Sequence, residues 1–374
     1  MAEIRVFGAG PSGLMAAEVL ASAGHRVTIH DHMAAPARKF LLAGRGGLNL
    51  THSEPLETLL GRYGDARRFL ETAIRAFPPD ALIDWANGLG IETFIGTSGR
   101  VFPRQMKASP LLRAWLKRLA GLGVTLHTRS SWTGFDSGPA ILALGGASWP
   151  HLGSDAAWVP AFRERGIAVT PFQPSNSRFA VNWSPVFAAK FAGQPLKNIA
   201  LSYGQQRVRG ELMISREGIE GGAIYALSRH LRDNPGQPLL IDLRPDLSAD
   251  ALAAKLARPR GKDSLSTFLR KAVRLSPPAI GLLRETGTQP DEKGIKSLAV
   301  TLGPPMGLER AISSAGGVAR TEFDTHFQLI KAPGIYCVGE MLDWEAPTGG
   351  YLLQACFSTA VWAAQHLASI LEKR

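Results

Sequence analysis

The chain has 374 residues, 45% hydrophobic and 20% charged. That make-up is ordinary for a globular enzyme of two to three domains with a sizeable core. The formal net charge is +11, but the only basic clusters are short ones at Arg258-Pro259-Arg260-Gly261-Lys262 and Arg270-Lys271. No zinc-finger spacing, RNP signature or basic tail accompanies them, so a solvated basic face is expected, without a specific nucleic-acid partner or a metal centre. Met1-Ala2-Glu3 leads straight into an apolar strand, with no basic leader or cleavage site, and every apolar run stops short of a membrane span. A cytoplasmic protein with no membrane partner is expected.

The first element is an apolar strand, Ile4-Arg5-Val6-Phe7, running into Gly8-Ala9-Gly10-Pro11-Ser12-Gly13 and a helical stretch from Leu14 to Ala23. A second strand, Val27 to His30, ends at Asp31, about 20 residues beyond Gly10. Strand, G-x-G-x-x-G, helix, strand and acid form the unit that binds an adenine dinucleotide. Gly8 permits the tight turn, Gly10 lets the backbone approach a pyrophosphate, and Gly13 lets helix and strand pack closely. The helix N-terminus offers N–H groups and positive partial charge to the phosphates, and Asp31 is placed to accept from a ribose.

A Gly-rich loop follows at Leu42 to Asn49. Helices are expected at Leu56–Gly61 and from Asp65 to Leu89, broken near Phe77-Pro78-Pro79. Another is expected at Pro110–Leu122, where Leu111, Leu112, Trp115, Leu116 and Leu119 share a face. Strands recur at Val124–Thr128 and Ala140–Leu144, the latter ending in Gly145-Gly146. From about Thr170, Pro and Gly become frequent, and the runs Ile199–Tyr203 and Gln206–Ile214 argue a small antiparallel unit. Ser248 to about Leu298 is mostly helical in pattern, with Ser248 as an N-cap, and Gly303-Pro304-Pro305 ends it.

Strand–helix alternation returns at Ile335–Glu340, followed by a Gly-Gly turn and a helix from Tyr351 to near Leu371. The expected fold class is therefore α/β: a discontinuous Rossmann-like dinucleotide domain (1–167 and 321–374), an inserted β domain (168–245 and 300–320) and a small helical domain (246–299). Cys337 and Cys356 form no C-x-x-C and read as buried thiols.

No second G-x-G-x-x-G follows a strand, so one dinucleotide is held tightly and any nicotinamide comes and goes. The segment Gly339 to Gln354 adds a second Gly-rich strand–helix junction. Glu340 is suited to sugar-alcohol hydroxyls, and the N–H groups at Gly350 and Tyr351 to a flavin's N1–C2=O edge. That favours non-covalent FAD over NAD.

These residues also carry a family resemblance along nearly the whole chain. Lys39 to Thr51 resembles K-x-L-x-S-G-G-G-R-C-N-x-T-N, Gly99 to Pro103 R-x-F-P, and Ala143 to Pro150 A-T-G-G-x-S-Y-P. Gly210 to Ser228 resembles G-E-L-L-F-T-H-Y-G-L-S-G-P-A-I-L-x-L-S. Ala315–Val318 resembles A-G-G-V, and Gly339–Gln354 G-E-x-L-D-x-x-G-x-T-G-G-Y-N-L-Q. The chain is similar to the bacterial BaiN/RdsA-like, aminoacetone-oxidase-like family within the glutathione-reductase-like flavoproteins.

The resemblance implies an FAD domain, a β domain and a helical domain. It implies FAD contacts at Gly8, Gly10, Pro11, Ser12, Gly13, Asp31, His32, Lys39, Gly44, Arg45, Gly46, Gly47, Asn49, Gly145, Gly339, Glu340, Gly349, Gly350 and Tyr351. It implies an oxidoreductase acting on a small organic molecule, with NAD(P)H as reductant or, alternatively, oxygen as acceptor in amine oxidation. A flavin-binding protein without catalysis is a third reading.

The chain departs from the pattern twice. The family's G-G-G-R-C-N is Gly44-Arg45-Gly46-Gly47-Leu48-Asn49 here, and its T-H-Y-G-L-S-G-P is Ser215 to Gly222, with Arg216, Glu217 and Glu220 in place of His, Tyr and Ser. No catalytic residue is assigned. His52 is a proton donor or a loop cap. Arg216, Glu217 and Glu220 form a substrate site or an ion-pair cluster, and Lys107 and Ser109 start a helix. Trp149, Trp344 and Tyr351 wall a flavin pocket or pack a core.

Overall fold

The computed structural model describes residues 3–135 and 138–373, with Arg45 described for its backbone alone. It divides into two compact units, one of residues 1–173 and 312–374 and one of residues 174–311.

The first unit is built on a five-stranded sheet in the order Ile335–Cys337, Ala140–Leu142, Glu3–Phe7, Arg26–Asp31, Thr125–Thr128. All its pairings are parallel. Taken in chain order this is the 3-2-1-4-5 arrangement of dinucleotide-binding sheets, whose order reverses beside the first strand. Helix Pro11–Ser22 starts with Pro11 at its first position, where the missing N–H costs nothing. It is buried along most of its length, including Leu14, Met15, Ala16, Ala17 and Leu20, and packs between the sheet and the C-terminal helix Tyr351–Glu372.

Glu18 on that buried helix keeps its charge compensated. Its carboxylate accepts from the indole N–H of Trp115 at 2.7 Å, that of Trp85 at 3.1 Å and Arg118 at 2.9 Å. Helices Leu56–Gly61, Arg67–Ala76 and Pro79–Gly88 follow the predicted pattern, with the break at Phe77-Pro78. The periodic run around Trp115 becomes Ala108–Gly121, and Lys107 is its N-cap residue. A three-stranded antiparallel sheet of Thr51–His52, Arg100–Pro103 and Thr93–Ile95 was not foreseen. Its strands are two to four residues long, too short to show a period.

The second unit carries a six-stranded antiparallel sheet in the order Leu298–Val300, Leu239–Asp242, Pro195–Tyr203, Gln206–Ser215, Gly218–Glu220, Phe179–Ala180. Its helical part begins at Ala249, where the Ser248 hydroxyl accepts from the Ala251 N–H at 3.2 Å. Ser264 and Ser276 cap the next two helices in the same way. Among the described residues, no helix is long and apolar enough to cross a membrane.

Candidate cofactor site

An open cleft lies at the C-terminal ends of the parallel strands, where the strand order reverses. It is lined by Gly8, Gly10, Asp31, Lys39, Gly145 and Glu340 among others. Backbone bonds tie the loops that reach it. The Gly8 N–H donates to His30 O at 2.7 Å, the Ala143 N–H to Phe7 O at 2.7 Å and the Val338 N–H to Leu142 O at 2.9 Å.

The three glycines of the first turn have different surroundings. Gly8 has φ +101°, and a Cβ there would lie 2.2 Å from Ala143 O. A Cβ on Gly13 would lie 1.8 Å from Gly8 O. Both glycines are dictated by the protein's own backbone. Gly10 is extended, at φ −78° and ψ −179°, and caps helix Pro11–Ser22. Nothing stands within 4 Å of a Cβ built on it. The space in front of Gly10 is the cradle that a pyrophosphate needs, so the residues present fit a dinucleotide.

Asp31 is buried and already engaged. It accepts from the Ala9 N–H at 2.6 Å and from the Met33 N–H at 2.8 Å, so it braces the glycine turn besides lining the cleft. His32 is exposed on the same rim, 3.8 Å from Asp155.

Lys39 and Glu340, separate candidates in the sequence, meet as an ion pair at 2.6 Å. The Lys39 ammonium also donates to Ser148 Oγ at 2.6 Å, and Glu340 accepts from the Ser314 N–H at 3.0 Å. Ser148 and Ser314 carry no motif of their own. The only signal for Ser148 was its place in the run Ala143–Pro150.

Gly339 has φ +76°, and a Cβ there would lie 2.2 Å from Ser12 Oγ. The Cys356 thiol borders the cleft and is hydrogen-bonded to Ser12. Burial, and then the Glu340 carboxylate, push it up to about 12. Both favour its neutral thiol form.

The loop at Gly44–Asn49 starts with a 3-10 turn, Gly44–Gly46. A Cβ on Gly44 would lie 2.5 Å from that of Ala108, and one on Gly47, at φ +111°, 2.7 Å from Met106 Cε. Gly46 has open space instead. Asn49 Oδ1 is buried with no protein partner. The Arg45 side chain lies outside the described residues.

The C-terminal junction is crowded by protein. Gly350 has φ +96°, and its Cβ would lie 2.5 Å from Thr51 Cα and carbonyl carbon. Gly349 has φ +141°, with the Tyr351 ring 2.6 Å from a built Cβ. The first helical bond is Gln354 N–H to Gly350 O at 3.0 Å, which leaves the N–H groups of the first turn unpaired within the helix.

The Tyr351 ring stacks on His52 at 5.4 Å, with Arg62 5.8 Å from its centroid. Burial and the hydrogen-bonded Glu54 carboxylate push its phenol well up. His52 accepts the Glu54 N–H on Nδ1 at 3.1 Å, which leaves Nε2–H to donate to Ser98 O at 3.0 Å. Both ring nitrogens are thus spent on backbone, and His52 is the loop cap among its two readings.

Trp344 is core: its indole donates to Gly339 O at 2.9 Å and meets Tyr63 edge-on. Trp149 is half-buried against His151, 5.4 Å away. In the second unit, Arg216 and Glu217 are exposed in the turn between Gln206–Ser215 and Gly218–Glu220, and Glu220 pairs with Arg178 at 3.7 Å.

The sequence model of the family described as HI0933-like protein Rossmann domain matches residues 2–366, and the chain belongs to that family. Its fold is that of flavin-dependent oxidoreductases. The chain is 26% identical over 398 residues to the ribosomal RNA dihydrouridine synthase of Escherichia coli (strain K12), covering 97% of each chain. It is 25% identical over 412 residues to the 3-dehydro-bile acid delta(4,6)-reductase of Clostridium scindens, covering 98% of this chain and 99% of that one. Among solved structures, a flavocytochrome c3 fumarate reductase superposes with a TM-score of 0.51 at 14% identity, over 98% of this chain and 78% of that chain. The 3-ketosteroid delta1-dehydrogenase of Sterolibacterium denitrificans does so at 0.50 and 13% identity, over 98% and 99%.

Proposed function

We propose that this chain is an FAD-dependent oxidoreductase that reduces a small organic substrate, with NAD(P)H as a transient reductant. The observation that carries the reading is the open space at Gly10, at the N-terminus of a buried helix and beside Asp31. An anion entering there meets N–H groups and the positive end of the helix dipole. Gly8, Gly10, Pro11, Ser12 and Gly145 would hold the diphosphate, and Asp31 and His32 the ribose. Lys39, Glu340, Asn49 and the Gly44–Gly47 loop would hold the flavin-side chain, and the N–H groups at Gly350 and Tyr351 the ring's anionic edge. When bound, FAD supplies the two-electron chemistry that no side chain of the cleft possesses. The protein's own part is to bind and orient, and to keep charges balanced, as Lys39 does for Glu340.

The names of the two curated relatives share one chemistry, hydrogen added across a C=C bond conjugated with a carbonyl, and we extend it to this chain as its substrate class. A second reading places that bond in a uracil of RNA. It departs from the expectation of no specific nucleic-acid partner, and is favoured by the exposed cations Arg258, Arg260, Lys262, Arg270 and Arg274 on the second unit.

The test begins with the purified protein: heat release and chromatography should yield FAD, and FMN alone or no flavin after reconstitution would overturn the reading. Anaerobic mixing with NADPH and NADH should bleach the flavin. Recovery of the colour by small enones, by uridine-containing RNA or by oxygen then separates reductase, RNA-directed reductase and oxidase.

A further inference from the structure

We infer that the Ser154 hydroxyl is a hydrogen-bonding group for the ribose–diphosphate half of an adenine dinucleotide. The inference rests on the cofactor reading above and adds a residue that no motif marked. Ser154 is 5% exposed, and its Oγ has no hydrogen-bond partner in the protein. Its residue lines the same cleft as Gly8, Gly10 and Asp31. A buried hydroxyl without a partner is uncommon, because its desolvation is left uncompensated.

The loop that carries Ser154 is held in place. The Trp158 indole donates to Gly145 O at 3.0 Å, and the Ala156 N–H donates to Gly146 O at 3.2 Å. Gly153 presses on the residues after Asp31: a Cβ there would lie 2.8 Å from Met33 Cγ and 3.2 Å from the His32 ring. Gly145, at φ +74°, faces Ser154 directly, with Oγ 3.4 Å from a built Cβ. The hydroxyl therefore stands beside the strand end where a ribose is received, and away from the Gly349–Tyr351 junction, which does not line this cleft. Both Asp31 oxygens already accept backbone N–H groups. A second polar group at this end relieves Asp31 of part of the ribose–diphosphate contact.

The consequence is a pair of effects with opposite sign. Ser154→Ala removes an unsatisfied polar group from the cofactor-free protein, and removes a bond from the complex. Cofactor-free Ser154→Ala should melt at or above the wild-type temperature. Its dissociation constants for FAD and for ADP, measured by calorimetry on cofactor-stripped protein, should rise together by about tenfold or more. Ser154→Thr, which keeps the hydroxyl, should recover most of the affinity.

Unchanged FAD and ADP affinities in Ser154→Ala would overturn the inference. So would a lowered melting temperature of the cofactor-free variant, which would mean that the hydroxyl serves the fold. Wild-type protein that binds ADP but not FAD would defeat the flavin reading while the ADP comparison still decides Ser154. Binding of neither overturns both.

Discussion

Two Gly-rich junctions open helices at opposite ends of the chain, and they look alike in sequence. In space they differ. At Gly8–Gly13 two glycines are compelled by backbone contacts, and the middle one faces an open cleft. At Gly349–Tyr351 both glycines have positive φ and are crowded by the Tyr351 ring and the Thr51 backbone. A glycine at a strand–helix junction thus has two separable causes, a protein neighbour or a ligand's space. Only the first is a matter of stability.

The sharpest way to break this comparison is Gly13→Ala. Its Cβ would enter the Gly8 carbonyl at 1.8 Å, in the middle of the first βαβ unit. A loss of at least about 4 kcal/mol is expected, in the range that only a few mechanisms reach. Chemical denaturation, or failure of the variant to accumulate in soluble form, reads it; near-wild-type stability would mean that the turn is looser than described.

Next is Gly350→Ala, which combines φ +96° with a Cβ against Thr51. It should cost about 2–4 kcal/mol in the cofactor-free protein, from backbone strain and overpacking together. A shift in flavin reduction potential with unaltered stability would show instead that the glycine is kept for a ligand.

Gly10→Val should leave the cofactor-free fold within about 0.5 kcal/mol of wild type, since the position is extended and open. The same variant should lose FAD, because the side chain fills the phosphate's place. A destabilised Gly10→Val, or one with full flavin occupancy, would erase the contrast with Gly13.

The smallest effect sits at the far end of the C-terminal helix. His366 stacks on His326 at 3.6 Å and is hydrogen-bonded to the Tyr336 hydroxyl, with Asp324 and Lys373 nearby. Burial and His326 lower its pKa, while Asp324 works against them. The unfolded chain therefore binds the proton more readily than the folded one. Stability is intact above the ordinary histidine value and falls as the pH drops through it toward the folded value. The imidazole is only part-buried, so screening keeps the loss under about 1 kcal/mol. His366→Asn should narrow the difference in melting temperature between pH 7.5 and 5.5; an unchanged difference would place the acid sensitivity elsewhere, for instance at His30, also lowered by burial and by its neighbour His127.

Local chemistry was legible in the sequence because it is carried by neighbours along the chain. The turn at Gly8–Gly13, the parallel strands around it, the helix cap at Ser248 and the break at Phe77-Pro78 each follow from residues a few places apart. Gly8, Gly10, Asp31, Lys39, Gly145 and Glu340, candidates by residue type, line the cleft, whereas the Gly44–Asn49 loop and the Gly349–Tyr351 junction do not. What those residues do to one another was not legible. Lys39 and Glu340 were separate ligands for a cofactor until the fold paired them across 301 positions. Asp31, read as a ribose acceptor, was not seen to brace the turn until its oxygens met the Ala9 and Met33 N–H groups. Which glycines border open space, which histidine has spent both nitrogens and which serine hydroxyls are left without a partner were decided by tertiary structure alone. The physical reason is that backbone conformation answers to adjacent residues, whereas hydrogen-bond satisfaction and free volume depend on atoms that arrive from distant parts of the chain.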